Sequence, residues 1–129
     1  NLAIESGDDY MRNEVIKKNL PKEKIYEVVK ACKKLGLKAN AFFVLGMPGE
    51  TKKSLENNIK LLKELPFNGI AVLFATPFPG TKLFEWAIQG KMISKEDLNK
   101  IIEGNFILYP ISRLRMKLFS LYGVKKSFR

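Results

Sequence analysis

The sequence predicts an α/β protein made of consecutive βα units with parallel strands. Three observations lead there. The runs Leu37–Leu45 and Gly69–Ala75 are almost continuously apolar, the pattern of strands covered on both faces of a parallel sheet. Stretches with apolar residues at helical spacing separate the strand-like runs. These two runs, and the shorter one from Leu2 to Ile4, each lead into a glycine-containing loop, at Gly46 to Gly49, at Gly80 and at Gly7. The order β-α-β-α-β-α argues for right-handed crossovers between parallel strands. An open three-stranded sheet and a slice of a (β/α)8 barrel both fit this pattern.

The elements follow in order. Leu2 to Ile4 reads as the end of a first strand. Gly7, Asp8 and Asp9 form a turn, and either aspartate can cap a short helix from Tyr10 to Lys18, ended by Asn19. Pro21 opens a second helix that runs to Leu35, since its missing N–H costs little in a first turn. Ile25, Val28, Val29 and Cys32 share a face of it, and Gly36 closes it. Leu37–Leu45 is the second strand. Thr51 or Ser54 begins a helix to about Leu65, with Leu55, Ile59, Leu62 and Leu65 as its apolar face and Pro66 as its stop. Gly69–Ala75 is a third, buried strand. A loop from Thr76 to Thr81 leads to a helix from Lys82 to Gln89, closed by Gly90. Ser94 caps a helix to about Glu103, and a basic amphipathic helix is predicted from Ile111 to Tyr122.

Composition bounds the function. The 129 residues are 46% apolar and 28% charged, the balance of one modest globular domain rather than of a disordered chain. No apolar run approaches the roughly 20 residues of a membrane helix. No signal-peptide pattern is visible, so a cytoplasmic protein is expected. The chain opens at Asn1 inside a strand-like run, so it reads as a piece of a longer protein.

There is one cysteine, Cys32, and no histidine. A lone thiol makes no intrachain disulfide and fills no four-ligand metal or cluster site. Cys32 is read as an ordinary helix residue. The net charge of +10 comes from 23 basic residues against 13 acidic ones. Most are lysines scattered along helices, the pattern of a solvated face. The tail from Arg113 to Arg129 is the exception, with six basic residues and no acid.

The strand ends carry the chemistry. In parallel α/β folds, ligands sit at the C-terminal ends of the strands. Glycine there permits positive φ and close backbone approach, proline fixes the turn, and threonine caps the next helix. Three small-residue loops on one rim form a surface on which something flat can lie. They are not phosphate loops of the familiar kinds, since neither GxxxxGKS/T nor GxGxxG occurs. Glu5 and Ser6 are the one polar pair directly at a strand end. A carboxylate there accepts the two hydroxyls of a ribose diol, or else pairs with a neighbouring lysine. Lys17, one helix later, is read first as a solvated lysine and second as returning to this rim.

The segments AIESGDDYMRNEVIKKNL, KLGLKANAFFVLGMPGETKKSLENNIKLL and FATPFPGTKLFEWA, in this order and spacing, resemble the second half of a radical S-adenosylmethionine (radical SAM) core. The likeness covers residues 1–90 and leaves 91–129 as a helical, basic extension. ESG, FFVLGMPGET and TPFPGT look most like the group that carries an N-terminal cobalamin-binding domain, with relatives such as the anaerobic magnesium-protoporphyrin ester cyclase. The tail from Asn105 to Arg115 is similar to the segment after the core in that group.

The resemblance implies a partial (β/α)6 barrel of which strands four to six are present. It implies that Glu5 and Ser6 contact the ribose of SAM. It puts a basic residue for the methionine carboxylate twelve positions on, at Lys17, where a lysine keeps the charge of the usual arginine but loses its fork. It puts Phe42, Val44 and Gly46 on adenine, with Ala75 and Thr76 approaching adenine through backbone. The family's GxIxGxxE form is not matched in full, because Pro48-Gly49 adds a residue before Glu50.

The family's CxxxCxxC motif, which holds a 4Fe–4S cluster, is not in this sequence. The implied function is therefore that of a fragment. The complete enzyme, of oxidoreductase or methyltransferase type, cleaves SAM reductively to a 5′-deoxyadenosyl radical or uses it with cobalamin. This piece supplies the ribose and adenine side and is expected to be inactive alone. Its partners are expected to be the other half of the same barrel, an unidentified small-molecule substrate, and other copies of itself through open strand edges. Nucleic acid is not expected. The alternatives are a radical SAM methylthiotransferase acting on tRNA or a ribosomal protein, and a non-catalytic basic binding module. The first usually shows QSGS where this chain has ESGD.

Overall fold

The structure is a computed structural model that describes residues 1–91 and 93–102. The chain divides into two compact units, Asn1–Phe74 and Ala75–Arg129. The first contains strand β1 (Leu2–Glu5), a π-helical turn (Met11–Val15), helix α1 (Lys22–Lys34), strand β2 (Asn40–Leu45), helix α2 (Lys52–Glu64) and strand β3 (Gly69–Phe74). The second contains helices α3 (Lys82–Gln89) and α4 (Lys95–Ile102). The expected tail helix, and the tail motif from Asn105 onward, lie outside the described residues.

The three strands form one parallel sheet in the order β1-β2-β3. This is the predicted α/β architecture of parallel strands alternating with helices. Register runs Leu2 to Ala41 and Ala3 to Phe42, then slips so that Glu5 faces Phe43. Between β2 and β3 it is unbroken, from Asn40 opposite Gly69 to Leu45 opposite Phe74.

Both helices of the first unit cover the same face of the sheet. Ile25 and Val29 of α1 and Leu61 of α2, with Leu65 just beyond it, pack with Ile4, Ala41 and Phe43. Because strand side chains alternate, Phe42 and Val44 lie on the other face, where they are only partly buried. Two crossover helices on one side of a parallel sheet are consistent with a slice of a barrel wall.

Local sequence explains the element ends. Thr51 caps α2 in a reciprocal box: its hydroxyl accepts from the Ser54 N–H at 3.1 Å, and its own N–H donates to Ser54 Oγ at 2.8 Å. Thr81 caps α3 in the same position, accepting from the Phe84 N–H. Helix α1 ends in a Schellman turn, with the Leu37 N–H donating to the Cys32 carbonyl and the Gly36 N–H to that of Lys33.

Four expectations are corrected. The helix predicted from Tyr10 to Lys18 is a π-helical turn over Met11–Val15, in which the Ile16 N–H donates to the Met11 carbonyl five residues back. Strand β2 starts at Asn40 rather than Leu37, because the Schellman turn uses Leu37, which stays 58% exposed. The buried face of α2 is Ser54, Asn58 and Leu61; of the predicted stripe, Leu65 is buried and Leu62 packs on the core, Leu55 is half-buried, and Ile59 is exposed. Asn58 faces inward because it accepts from Ser6 and Gly7, and Ser54 because it closes the capping box with Thr51. Strand β3 is not buried on both faces: Ile70, Val72 and Leu73 are about half exposed. It is an edge strand, and the core cluster contains none of its side chains.

Candidate functional site

The C-terminal end of β1 is the most heavily hydrogen-bonded part of the first unit. Its sequence, Glu5 to Asp9, turns sharply. Glu5 has φ +69°, and the Ser6 N–H donates back to the Ile4 carbonyl at 2.9 Å. A non-glycine residue in this region is held there by its surroundings.

Those surroundings come from α2 and from the π-helical turn. Asn58 Oδ1 accepts from Ser6 Oγ at 3.0 Å and from the Gly7 N–H at 2.6 Å. Ser6 Oγ in turn accepts from the Asp8 N–H at 3.1 Å. Asp8 caps the π-helical turn by accepting from the Met11 N–H, and its other oxygen accepts from Asn57 Nδ2 at 2.7 Å. Gly7 is required by contact: an added Cβ would lie 2.7 Å from the Asn57 carbonyl oxygen and 2.9 Å from Asn58 Cα. Arg12 is fully buried beneath this loop. It donates to the Ser6 and Leu20 carbonyls at 2.9 and 2.7 Å and to the Asp9 carboxylate.

Each residue singled out from the sequence has a definite place. The Glu5 carboxylate is 18% exposed and pairs with Lys18 Nζ at 3.2 Å. Ser6 is buried, and its hydroxyl is taken up by Asn58 and Asp8. Lys17 has φ +60° and a 71% exposed side chain that pairs with Glu14. Thus Lys18, not Lys17, stands at Glu5.

At the second strand end, Phe42 and Val44 are half-buried on the face away from α1 and α2. The loop beyond β2 is closed by Glu50, a buried carboxylate that accepts from the Gly46 N–H at 2.8 Å. Gly46 and Gly49 both have positive φ, +84° and +83°, which glycine alone adopts without strain. Burial pushes the Glu50 carboxyl above its ordinary value, and the Gly46 N–H partly opposes that shift. Ala75 and Thr76 begin the second unit; Ala75 is buried and Thr76 half-buried. Cys32 packs at the edge of the core on α1. Among the described residues, no three His, Cys, Asp or Glu side chains gather to hold a metal ion, and no helix is long and apolar enough to cross a membrane.

Arg12, Lys18, Glu50 and Asn58 were not singled out from the sequence for this site. Asn58 was the most findable of them. It sits four residues after Ser54 and three before Leu61, a polar side chain on what becomes the buried face of an amphipathic helix.

A partly exposed carboxylate accepts two vicinal hydroxyls. One strand over, Phe42 and Val44 offer a flat apolar surface beside a loop with positive-φ glycines. A carboxylate, apolar side chains and open backbone are the kinds of group that a ribose and an adenine need.

No family model matches the chain. It is 38% identical over 80 residues to an uncharacterized methyltransferase of Pyrococcus horikoshii, an alignment covering 62% of this chain and 17% of that protein. It is 29% identical over 102 residues to the cytidylyl-2-hydroxyethylphosphonate methyltransferase of Streptomyces wedmorensis, covering 74% of this chain and 19% of the relative. It is also 29% identical over 90 residues to the tRNA-2-methylthio-N(6)-dimethylallyladenosine synthase of Ehrlichia ruminantium, covering 68% and 20%. The chain spans about a fifth of the length of these curated relatives. Its similarities are thus to parts of enzymes named for methyl transfer and for making a methylthio-nucleoside.

Proposed function

We propose that the chain is part of a radical SAM enzyme of methyltransferase type and supplies the ribose and adenine side of its SAM site. The observation that carries this reading is the end of β1. There a non-glycine residue, Glu5, is held at positive φ with its carboxylate at the rim of a parallel sheet. Backbone strain of this kind gathers at ligand sites. The relatives named as methyltransferases favour methyl transfer over oxidoreductase chemistry.

In this reading Glu5 accepts the ribose diol. Phe42 and Val44 lie against adenine, and Gly46 lets the backbone approach it. Ser6 shapes the loop through its bonds to Asn58 and Asp8 rather than reaching the ligand with its hydroxyl. A 4Fe–4S cluster, when bound, supplies the electron that activates SAM. Its ligands belong to the rest of the barrel, outside residues 1–90. The finer assignment, to the group with a cobalamin-binding domain, rests on the ESG, FFVLGMPGET and TPFPGT segments. A second reading, methylthio transfer to tRNA, is favoured by the Ehrlichia relative and weakened by ESGD in place of QSGS.

The test is the coding sequence upstream of Asn1. A CxxxCxxC after a predicted strand, within about 200 codons, is the expected result. A frame that lacks those cysteines overturns the proposal.

A further inference from the structure

Arg12 is the largest fully buried side chain in the described structure, at 0% exposure. Burying a guanidinium is costly unless its donors are matched. A leucine would fill similar space without that cost, so the cation at this place has a geometric role. Its three bonds diverge: Nε to the Leu20 carbonyl, Nη1 to the Ser6 carbonyl, and Nη2 to Asp9. Asp9 is 67% exposed, so the ion pair lies at the solvent side of a buried fork.

The Ser6 carbonyl follows Glu5 directly. Glu5 carries φ +69°, the i to i+2 hydrogen bond across it, and the register slip against β2. Asn58 holds the Ser6 hydroxyl and the Gly7 N–H, and the Gly7 N–H shares one planar peptide group with the Ser6 carbonyl. Asn58 and Arg12 therefore grip that peptide from its two ends. Without Arg12 the carbonyl loses its charged partner and one end of the grip opens. Ser6 ψ and Gly7 φ are then freer to change, and the turn at Glu5, closed by the Ser6 N–H, loosens with them.

We propose that Arg12 is the positioning residue of the strand-end site, its buried guanidinium locking the Ser6 carbonyl so that the Glu5 carboxylate faces a ligand's vicinal diol. The proposal rests on the reading of Glu5 as a ribose acceptor. It adds the residue that makes Glu5 selective for the diol.

The test compares Arg12→Leu, Arg12→Lys and Asp9→Ala in the full chain with two readouts. The first is ligand-free NMR: the φ-dependent scalar coupling of Glu5, and amide exchange of Gly7 measured against Ala41 and Phe43 in β2. The second is the affinity ratio of adenosine to 2′,3′-dideoxyadenosine. Wild type is expected to prefer the diol roughly tenfold or more, the value of a charge-assisted bond. Arg12→Leu is expected to keep β2 protection, move Glu5 out of positive φ, speed Gly7 exchange about tenfold, and abolish the preference, as Glu5→Gln does. Asp9→Ala, which spares the bonds to Ser6 and Leu20, is expected to keep both signatures.

An Arg12→Leu protein with unchanged Glu5 coupling and ratio overturns the proposal, as does Asp9→Ala matching Arg12→Leu. If Arg12→Leu loses β2 protection, Arg12→Lys decides: a folded protein with the preference lost supports the role, and one with it retained refutes it. Wild type that binds neither nucleoside, or both equally, sinks the reading of Glu5. The coupling at Glu5 still reports whether Arg12 holds it.

Discussion

Gly7→Ala is the most informative single change in the first unit. Position 7 carries no side chain because α2 passes directly over it. A Cβ built there meets three backbone atoms of Asn57 and Asn58, at 2.7, 2.9 and 3.1 Å. Ordinary contact begins near 3.4 Å, so the loop or the helix must move by more than about half an ångström. Flexible side chains yield to such a contact cheaply, but backbone in mid-helix does not. Any shift also stretches the Gly7 N–H bond to Asn58 Oδ1, now 2.6 Å, and the Ser6 bond beside it. Overpacking of this kind costs about 1–3 kcal/mol, and a weakened buried bond adds about 1 kcal/mol. The expected loss is therefore about 3 kcal/mol.

The control is Gly49→Ala. There φ is +83° with no atom within 4 Å of the added carbon. Only the backbone conformation resists, at a cost of about 1–2 kcal/mol. Urea denaturation of both variants, with slopes compared to exclude a changed unfolded state, gives the two losses. A Gly7→Ala loss below that of Gly49→Ala would refute the tight seating of the β1 loop on α2, and with it the account of how Glu5 is held.

Two further predictions concern pH. Burial raises the Glu50 carboxyl above its ordinary 4.5, so the folded state favours the protonated form. The stability this contributes is present below 4.5 and is lost as pH rises through the folded value. Glu50→Gln keeps an acceptor for the Gly46 N–H without a buried charge. It should match or exceed wild type at pH 7 and lose that advantage below pH 4.5; a variant clearly weaker at pH 7 would contradict this. Tyr26 is pushed up to about 12, by desolvation first and then by its hydrogen bond to Glu64. Its contribution is complete below 10 and falls as pH rises through 12. Urea midpoints of Tyr26→Phe and wild type should therefore converge between pH 10 and 12, and a constant difference would refute the assignment.

Much of the fold was legible because local signals and tertiary structure agree. Pro21, Gly36, Thr51 and Thr81 mark helix ends by backbone chemistry that needs no distant partner. The apolar runs of β2 and β3 identify strands, and their order with helices between them implies parallel pairing. Burial was less legible. The run from Gly69 to Phe74 is apolar enough to be covered twice, but apolarity does not supply the cover, and β3 stays half exposed. On α2 the stripe through Leu55 and Ile59 was the more apolar one, yet Asn58 faces inward because it satisfies Ser6 and Gly7.

The strand ends of the candidate site can be picked out in the sequence by position; the residues that hold them cannot. Glu5 and the Gly46–Gly49 loop announce themselves by position. Arg12 does not, since a buried arginine in a short polar segment looks like any solvated one until its carbonyl partners come from residues 6 and 20. The expectation at Lys17 came from the spacing of the resemblance, for a ligand carboxylate; in the structure Lys17 pairs with Glu14, and Lys18 is the lysine at Glu5.

The measurement that tests the central claim most directly is a two-dimensional amide NMR titration of the chain with S-adenosylmethionine. The account predicts saturable shifts at Glu5, Ser6, Phe42, Val44 and Gly46, and their loss in Glu5→Gln. Shifts confined to the exposed lysines of α1, or none in this set at saturating ligand, would contradict it.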